Sequence, residues 1–409
     1  MGGRPRPLRR ASARHLPVKR GGDFLVLLSA RSLRAFGFGF AAVLIGVHLE
    51  RKGFPPVVVG AVLSAGLAAT AVYGLVLATW APRIGRRRGL ALTGVLMALA
   101  GADLALANTA WLAVLAGATG MISSAGSDYG PFSALEQAVL TESVPPDRRN
   151  RAFGRYALSG ALATAAGGAA AALGTTAART EIFFLIYAAL GLATAVLALS
   201  LSPAVEVAGS GRVALPLNRR IAGLSGLFLV DSVGGGLVAQ AVIAYWLHVR
   251  FGASPLLLGP VFAAIALLQA ASYEVAGRLG DRVGLVNTMV FTHLPSNVLL
   301  LLVPLSPSLG WAVALLLARF AISQMDVPAR QAYIVSIVPP EQRAGAVAVT
   351  GAVRGAGQAV GPYLAGVAIQ GAAFGVPFVA AGALKIAYDL ALFGAFRRVR
   401  GEHELASTS

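Results

Sequence analysis

Three charged side chains, Arg319, Asp326 and Arg330, interrupt one apolar stretch near residues 309–337. Spacings of seven and four put all three on one face of a helix. Gln331 lies beside that stripe, and Pro328 is placed to kink the helix between Asp326 and Arg330. A second apolar stretch, 111–143, carries Asp128, Pro131 and Glu136, and the stretches at 24–47 and 221–247 carry Arg31, Arg34 and Asp231. A carboxylate surrounded by apolar groups is poised to bind and release a proton. A guanidinium can hold a carboxylate or phosphate. Inside a membrane each such charge costs at least ~2.5–3.5 kcal/mol, so it marks either a function or a buried pair.

The elements that must carry these residues are read from composition. Of 409 residues, 56% are hydrophobic and 12% charged, with mean hydropathy +0.72, about half the charge of a soluble domain. Apolar stretches near 24–47, 57–80, 89–107, 111–143, 156–177 and 182–201 give six predicted spans. A polar segment, 203–220, separates them from six more near 221–247, 256–277, 287–305, 309–337, 345–369 and 375–396. The expectation is an all-α membrane protein of 12 transmembrane helices. It has a basic tail (1–21), an N-terminal six-helix bundle (22–202), a linker (203–220), a C-terminal bundle (221–397) and a short tail (398–409). The 49 glycines suit close helix approach in lipid.

A net charge of +17 would suit nucleic acid, but its placement points elsewhere. Under this segmentation 24 of the 34 Lys and Arg fall on alternate loops and the tails, and only Arg51, Lys52, Arg179 and Arg250 fall opposite. That asymmetry predicts an inner-membrane protein with both termini in the cytoplasm, its basic tail resting on anionic lipid. No nucleic-acid partner is expected.

The two halves repeat. Pro56, Gly60, Arg83 and Gly85 recur as Pro255, Gly259, Arg282 and Gly284, offset by 199 residues. Further on the offset becomes 194: Glu136 and Gln137, ahead of Val144-Pro145-Pro146, correspond to Arg330 and Gln331, ahead of Val338-Pro339-Pro340. Two parallel six-helix repeats joined by a linker are a transporter architecture.

Loop motifs sharpen this. The segment after the eighth span reads G-R-L-G-D-R-V-G from Gly277 through Asp281 and Arg282 to Gly284. The segment after the second reads A-T-W-A-P-R-I-G-R-R, with Pro82 where the acid would stand, then Arg83, Gly85 and Arg86. The eleventh span carries G-Q-A-V-G-P-Y-L-A-G from Gly357 to Gly366. These motifs resemble the major facilitator superfamily over essentially the whole chain, and specifically a bacterial, drug-efflux-like member. The resemblance implies two pseudo-symmetric six-helix bundles, with spans one, four, seven and ten lining a central cavity. It also implies a gating role for Arg83, Gly85, Arg86, Gly277, Asp281, Arg282 and Gly284, with Asp281 as a latch against a helix N-terminus of the other half.

The candidates for substrate binding or coupling are thus Arg31, Arg34, Asp128, Glu136, Asp231, Arg319, Asp326, Arg330 and Gln331. Structural alternatives stand beside them. Arg31 and Arg34 can snorkel to headgroups, and Glu136 and Arg330, at equivalent positions, can pair across the halves. Lys385 and Asp389, four apart, are expected to pair with each other, and His293 to be a hydrogen-bonded core residue. Arg354 is expected to face either Asp281 or the cavity. The chain has no cysteine, and its five histidines lack metal-ligand spacing, so neither metal nor cofactor is expected. It has no G-x-x-x-x-G-K-[ST] loop for ATP.

The function expected is a monomeric secondary transporter rather than an enzyme, exporting small, partly hydrophobic molecules in exchange for protons. Transport of an anionic metabolite is the alternative, favoured if Asp128 and Asp326 prove locked to arginines. A transport-inactive scaffold or receptor is a more distant one.

Overall fold

A computed structural model describes residues 20–124, 131–144, 148–206, 219–339 and 342–396. Both tails, most of the linker and Asp128 lie outside these residues. Fifteen α-helices and no strand occur among the described residues. In the first half these are α1 (Arg20–Arg51), α2 (Pro56–Ile84), α3 (Arg86–Leu106), α4 (Ala110–Ala118), α5 (Pro131–Ser143), α6 (Arg149–Ala170) and α7 (Ala177–Ser200). The second half holds α8 (Arg219–Leu237), α9 (Gln240–Phe251), α10 (Pro255–Val283), α11 (Leu285–Leu302), α12 (Leu309–Ile322), α13 (Asp326–Ser336), α14 (Arg343–Gln370) and α15 (Val376–Phe396).

Among the described residues, ten helical segments are long and apolar enough to cross a membrane. They include the runs Ile221–Phe251 and Leu309–Ser336, each interrupted by a short break. The expected fourth span is absent from the ten because α4 and α5 are separate short helices. The expected eleventh is absent although α14 has 28 residues. Its many small residues and Arg354 dilute its hydropathy.

The kink expected between Asp326 and Arg330 is instead a break ahead of Asp326. The helix stops at Ile322 and restarts at Asp326, so Pro328 falls in the first turn of α13. There its missing N–H costs nothing, whereas in mid-helix it would collide with the carbonyl four residues back.

The repeat is built into the packing. On α2, a Cβ at Gly60 would overlap the Pro362 carbonyl of α14. On α10, a Cβ at Gly259 would come within 2.9 Å of the Gly168 carbonyl of α6 and 2.6 Å of Ala172 N. Gly60 and Gly259 differ by one repeat offset, Gly168 and Pro362 by the other. The crossings α2/α14 and α10/α6 are therefore two copies of one contact. The turns into α3 and α11 also match: Gly85 and Gly284 have φ of 88° and 87°, a region open to glycine but strained for other residues.

The halves also meet where α1 and α9 end. A Cβ at Gly46 would press on Tyr245, Ala241 N donates to the Ser124 carbonyl at 2.9 Å, and Glu50 lies 3.4 Å from His248 Nε2.

Candidate functional site

In the first half, α1 points Arg34 at Glu136 on α5. The two terminal nitrogens of Arg34 donate to the two carboxylate oxygens at 2.7 and 2.6 Å, and Tyr156 of α6 donates a third bond at 2.7 Å. Arg34 is fully buried and Glu136 nearly so, at 0% and 1% exposed. This fork-on-fork geometry is the strong form of a buried ion pair. It corrects two expectations. Arg34 does not reach for headgroups, and Glu136 pairs within its own half rather than with Arg330. Arg31 lies with its guanidinium 4.7 Å over the Tyr156 ring and against Gly160, stacked on the same pair.

In the second half the charges converge from five helices. Asp231 of α8 accepts from Lys385 of α15 at 2.6 Å. Its other oxygen lies 3.6 Å from both Arg330 of α13 and Arg354 of α14. Arg330 donates to Asp326 at 2.7 Å, one turn back on its own helix. Behind this group, Asp389 of α15 meets His293 Nδ1 at 2.8 Å and Asn297 Nδ2 at 2.9 Å, both on α11.

Lys385 and Asp389 thus do not pair with each other; each has a nearer partner across the bundle. His293 is the buried, hydrogen-bonded residue expected. Arg354 turns to Asp231. Gln331 is exposed and stands apart from the cluster.

Arg319 on α12 completes the group. It is 6% exposed, yet its Nε and Nη1 have no hydrogen-bond partner. Its guanidinium lies 4.7 Å over the Phe320 ring. Arg354 Nη1 likewise makes no hydrogen bond. Four cations (Arg319, Arg330, Arg354, Lys385) face three carboxylates (Asp231, Asp326, Asp389), an excess of one positive charge among the described residues. Burying a charge is costly unless it is paired, so the arrangement has the donors and the charge to take up an anion. No group of described residues could hold a metal ion.

Of the gating residues, Gly85 and Gly284 make the two matching turns. Arg86 and Arg87 N–H groups donate to Glu206 at 2.6 and 3.1 Å, so an acid from the linker caps α3. Arg282 is exposed. The side chains of Arg83 and Asp281, and the surroundings of Gly277, lie outside the described residues, as does the expected Asp281 latch.

Sequence reasoning did not assemble Lys385, Asp389, His293, Asn297 and Arg354 with Asp231. Its signal was present, since each is a polar residue inside an apolar stretch, but the pairing depends on which helices adjoin.

The fold and this buried network define a multi-pass helical membrane protein with an ionic site in its second half. The profile of the Major Facilitator Superfamily matches residues 27–247 and 224–408, and the chain belongs to that superfamily. It is 23% identical over 416 residues to the uncharacterized membrane protein YJR124C of Saccharomyces cerevisiae, covering 90% of this chain and 93% of that one. Among solved structures, the nucleoside transporter NupG superposes with a TM-score of 0.73 at 15% identity, covering 92% of this chain and 99% of that one. A D-xylose-proton symporter gives 0.68 at 16%, covering 90% and 97%. A bacterial homolog of the human lysosomal transporter Spinster, inward-facing and occupied, gives 0.69 at 18%, covering 92% and 95%.

Proposed function

We propose that this chain is a secondary active transporter whose cargo is a small organic acid, carried as the anion. Access alternates around a site between two six-helix bundles. In this reading α4/α5, α8/α9 and α12/α13 are single interrupted crossings and α14 is the eleventh, giving twelve. Interrupted helices at mid-depth are a feature of transporter binding sites. The transport names of the structural relatives support the mechanism. The single observation that carries the substrate class is Arg319, buried with two unbonded N–H groups in a cluster one cation in excess.

Proton-coupled export of partly hydrophobic molecules ranks second. Its coupling acid was to be Asp128 or Asp326; Asp326 is bound to Arg330, and Asp128 lies outside the described residues. In this reading the protein works as a monomer in the inner membrane, and the Lys and Arg distribution supports cytoplasmic termini.

The test is thermal stabilisation of the detergent-purified full chain by carboxylates, inorganic phosphate, sugars, nucleosides and neutral drug-like compounds, since binding raises apparent stability by mass action. Acid-bearing compounds should stabilise wild type and lose that effect in Arg319→Gln. Stabilisation by neutral compounds alone would overturn the substrate assignment.

A further inference from the structure

Two hydroxyl groups in the second half share the condition of Arg319. Ser323 lies one turn beyond Arg319, and its N–H donates to the Arg319 carbonyl at 2.9 Å. Residues four apart leave a helix on the same face. Ser323 is 4% exposed and Tyr388, on α15, is 2% exposed, yet neither hydroxyl has a hydrogen-bond partner. A buried hydroxyl left unbonded is costly. A serine near a helix end can return to a backbone carbonyl, as Ser336 does at the end of α13, donating to Tyr333 at 2.9 Å. Ser323 makes no such bond.

Tyr388 belongs to the ionic cluster by position. It stands three residues from Lys385, on the same face of α15. Its ring lies 6.2 Å from the Phe228 ring, and the guanidinium groups of Arg330 and Arg354 each lie 5.8 Å from that same ring. Asp231, Arg330, Asp326 and Arg354 all act electrostatically on its hydroxyl.

Charge and donor count then define the ligand. The excess of one cation is offset by a single negative charge. Five donor groups stand unbonded: Arg319 Nε, Arg319 Nη1, Arg354 Nη1 and the two hydroxyls. One carboxylate offers about four lone-pair sites, all at one end of its molecule. A second carboxylate would add acceptors but bring one charge too many. Hydroxyl groups on the carbon chain add acceptors without charge, and they donate in turn to the oxygens of Ser323 and Tyr388.

We propose that the cargo is a hydroxylated monocarboxylic acid, its carboxylate held by Arg319 and Arg354 and its hydroxyls by Ser323 and Tyr388. The inference rests on the anion reading above and narrows it. Access is at Arg354, whose side chain is 28% exposed while Arg330, Asp231 and Lys385 are at most 8%. The adjoining Gly355 faces Ala71 of α2, so that opening lies toward the first half.

The experiment is titration calorimetry on the detergent-purified full chain at about pH 7, where carboxylic acids are ionised. The probes are propionate, lactate and glycerate, which carry no, one and two hydroxyls, and malonate as a dianion. Affinity should rise about tenfold with each hydroxyl, and malonate should bind more weakly than glycerate. Ser323→Ala and Tyr388→Phe should each cost glycerate about tenfold and leave propionate unchanged, a change of selectivity that a merely structural role would not produce. Either variant alone serves if the other does not fold. Equal affinity for propionate and glycerate in wild type, or tighter binding of malonate than of glycerate, would overturn the hydroxy-acid assignment and leave the anion reading intact. Full preference for glycerate retained in both variants would overturn the roles of Ser323 and Tyr388. Absence of binding of all four acids would overturn the anion reading as well.

Discussion

Glu136 in the first half and Arg330 in the second stand at equivalent positions, 194 residues apart, and meet opposite fates. Glu136 receives both terminal nitrogens of Arg34 and the Tyr156 hydroxyl, one cation to one carboxylate. Arg330 is one of four cations sharing three carboxylates, with guanidinium nitrogens left over nearby. One repeat has spent its charges on holding two helices together. The other has left them able to change partners. A transporter needs both: a rigid body to move against, and a site whose bonds rearrange with its cargo.

The comparison breaks most readily at Arg34. Removing one partner of a buried pair strands the other charge, at a cost of about 3–5 kcal/mol. Arg34→Ala should therefore lower the thermal midpoint in detergent strongly, by more than any variant below. A double Arg34→Met, Glu136→Leu change should recover most of the loss, because an apolar pair of similar volume can replace a buried ion pair. A double variant as unstable as the single one would mean that the pair holds something besides its own charges.

The next effect tests the symmetry that makes the comparison legitimate. Gly60→Ala and Gly259→Ala each push a methyl into the backbone of the facing helix. Overpacking of this kind costs about 1–3 kcal/mol. The two midpoints should fall by similar amounts, since each glycine sits in one copy of the same crossing. A large loss in one and none in the other would show that the crossings are alike in outline only.

Arg319→Gln comes third in stability and shows the contrast most directly. The native guanidinium leaves two buried N–H groups unbonded, so its loss should move stability by no more than about 1 kcal/mol in either direction. Anion-dependent stabilisation should disappear in the same protein. A loss as large as that of Arg34→Ala would make Arg319 a structural partner, as Arg34 is.

How far this contrast was readable beforehand depends on which physics set it. The 199- and 194-residue offsets exposed the repeat because glycines at helix crossings and turns are irreplaceable there, and Gly60, Gly85, Gly259 and Gly284 all proved to be such positions. Buried charges were visible as polar residues in apolar stretches. Their partners were not. Arg34 with Glu136, and Lys385 with Asp231, are 102 and 154 residues apart, and helical spacing informs only on neighbours one turn away. That is why Arg330 with Asp326 was consistent with a shared face while Lys385 with Asp389, at the same spacing, found better partners across the bundle. The break ahead of Asp326 was misplaced for a related reason: proline forbids a position in mid-helix without saying on which side the chain will yield.

The smallest expected effect lies between the halves, where Glu50 at the end of α1 faces His248 at the end of α9. His248 Nδ1 lies 2.7 Å from the Ala253 carbonyl, so that nitrogen carries the hydrogen. Nε2, 3.4 Å from Glu50, attracts it only after gaining a second proton. Nearby cations are drawn elsewhere: Arg51 donates to the Gly174 and Thr175 carbonyls, and Lys52 to those of Ala105 and Ala107. The contact is therefore an attraction only where the residue at 248 is positively charged. Both side chains are partly open to solvent, at 21% and 41% exposed, which limits such a pair to about 1 kcal/mol. That corresponds to a shift of up to about fivefold between open and closed populations. Paired spin labels across this end, without added anion, should show the closed distance more populated in His248→Lys, which carries a fixed positive charge, than in His248→Gln, which carries none. With Glu50→Gln added to each, the two distributions should coincide. If they still differ, position 248 acts on something other than Glu50, and the first half is not the passive partner that its Arg34–Glu136 pair makes it.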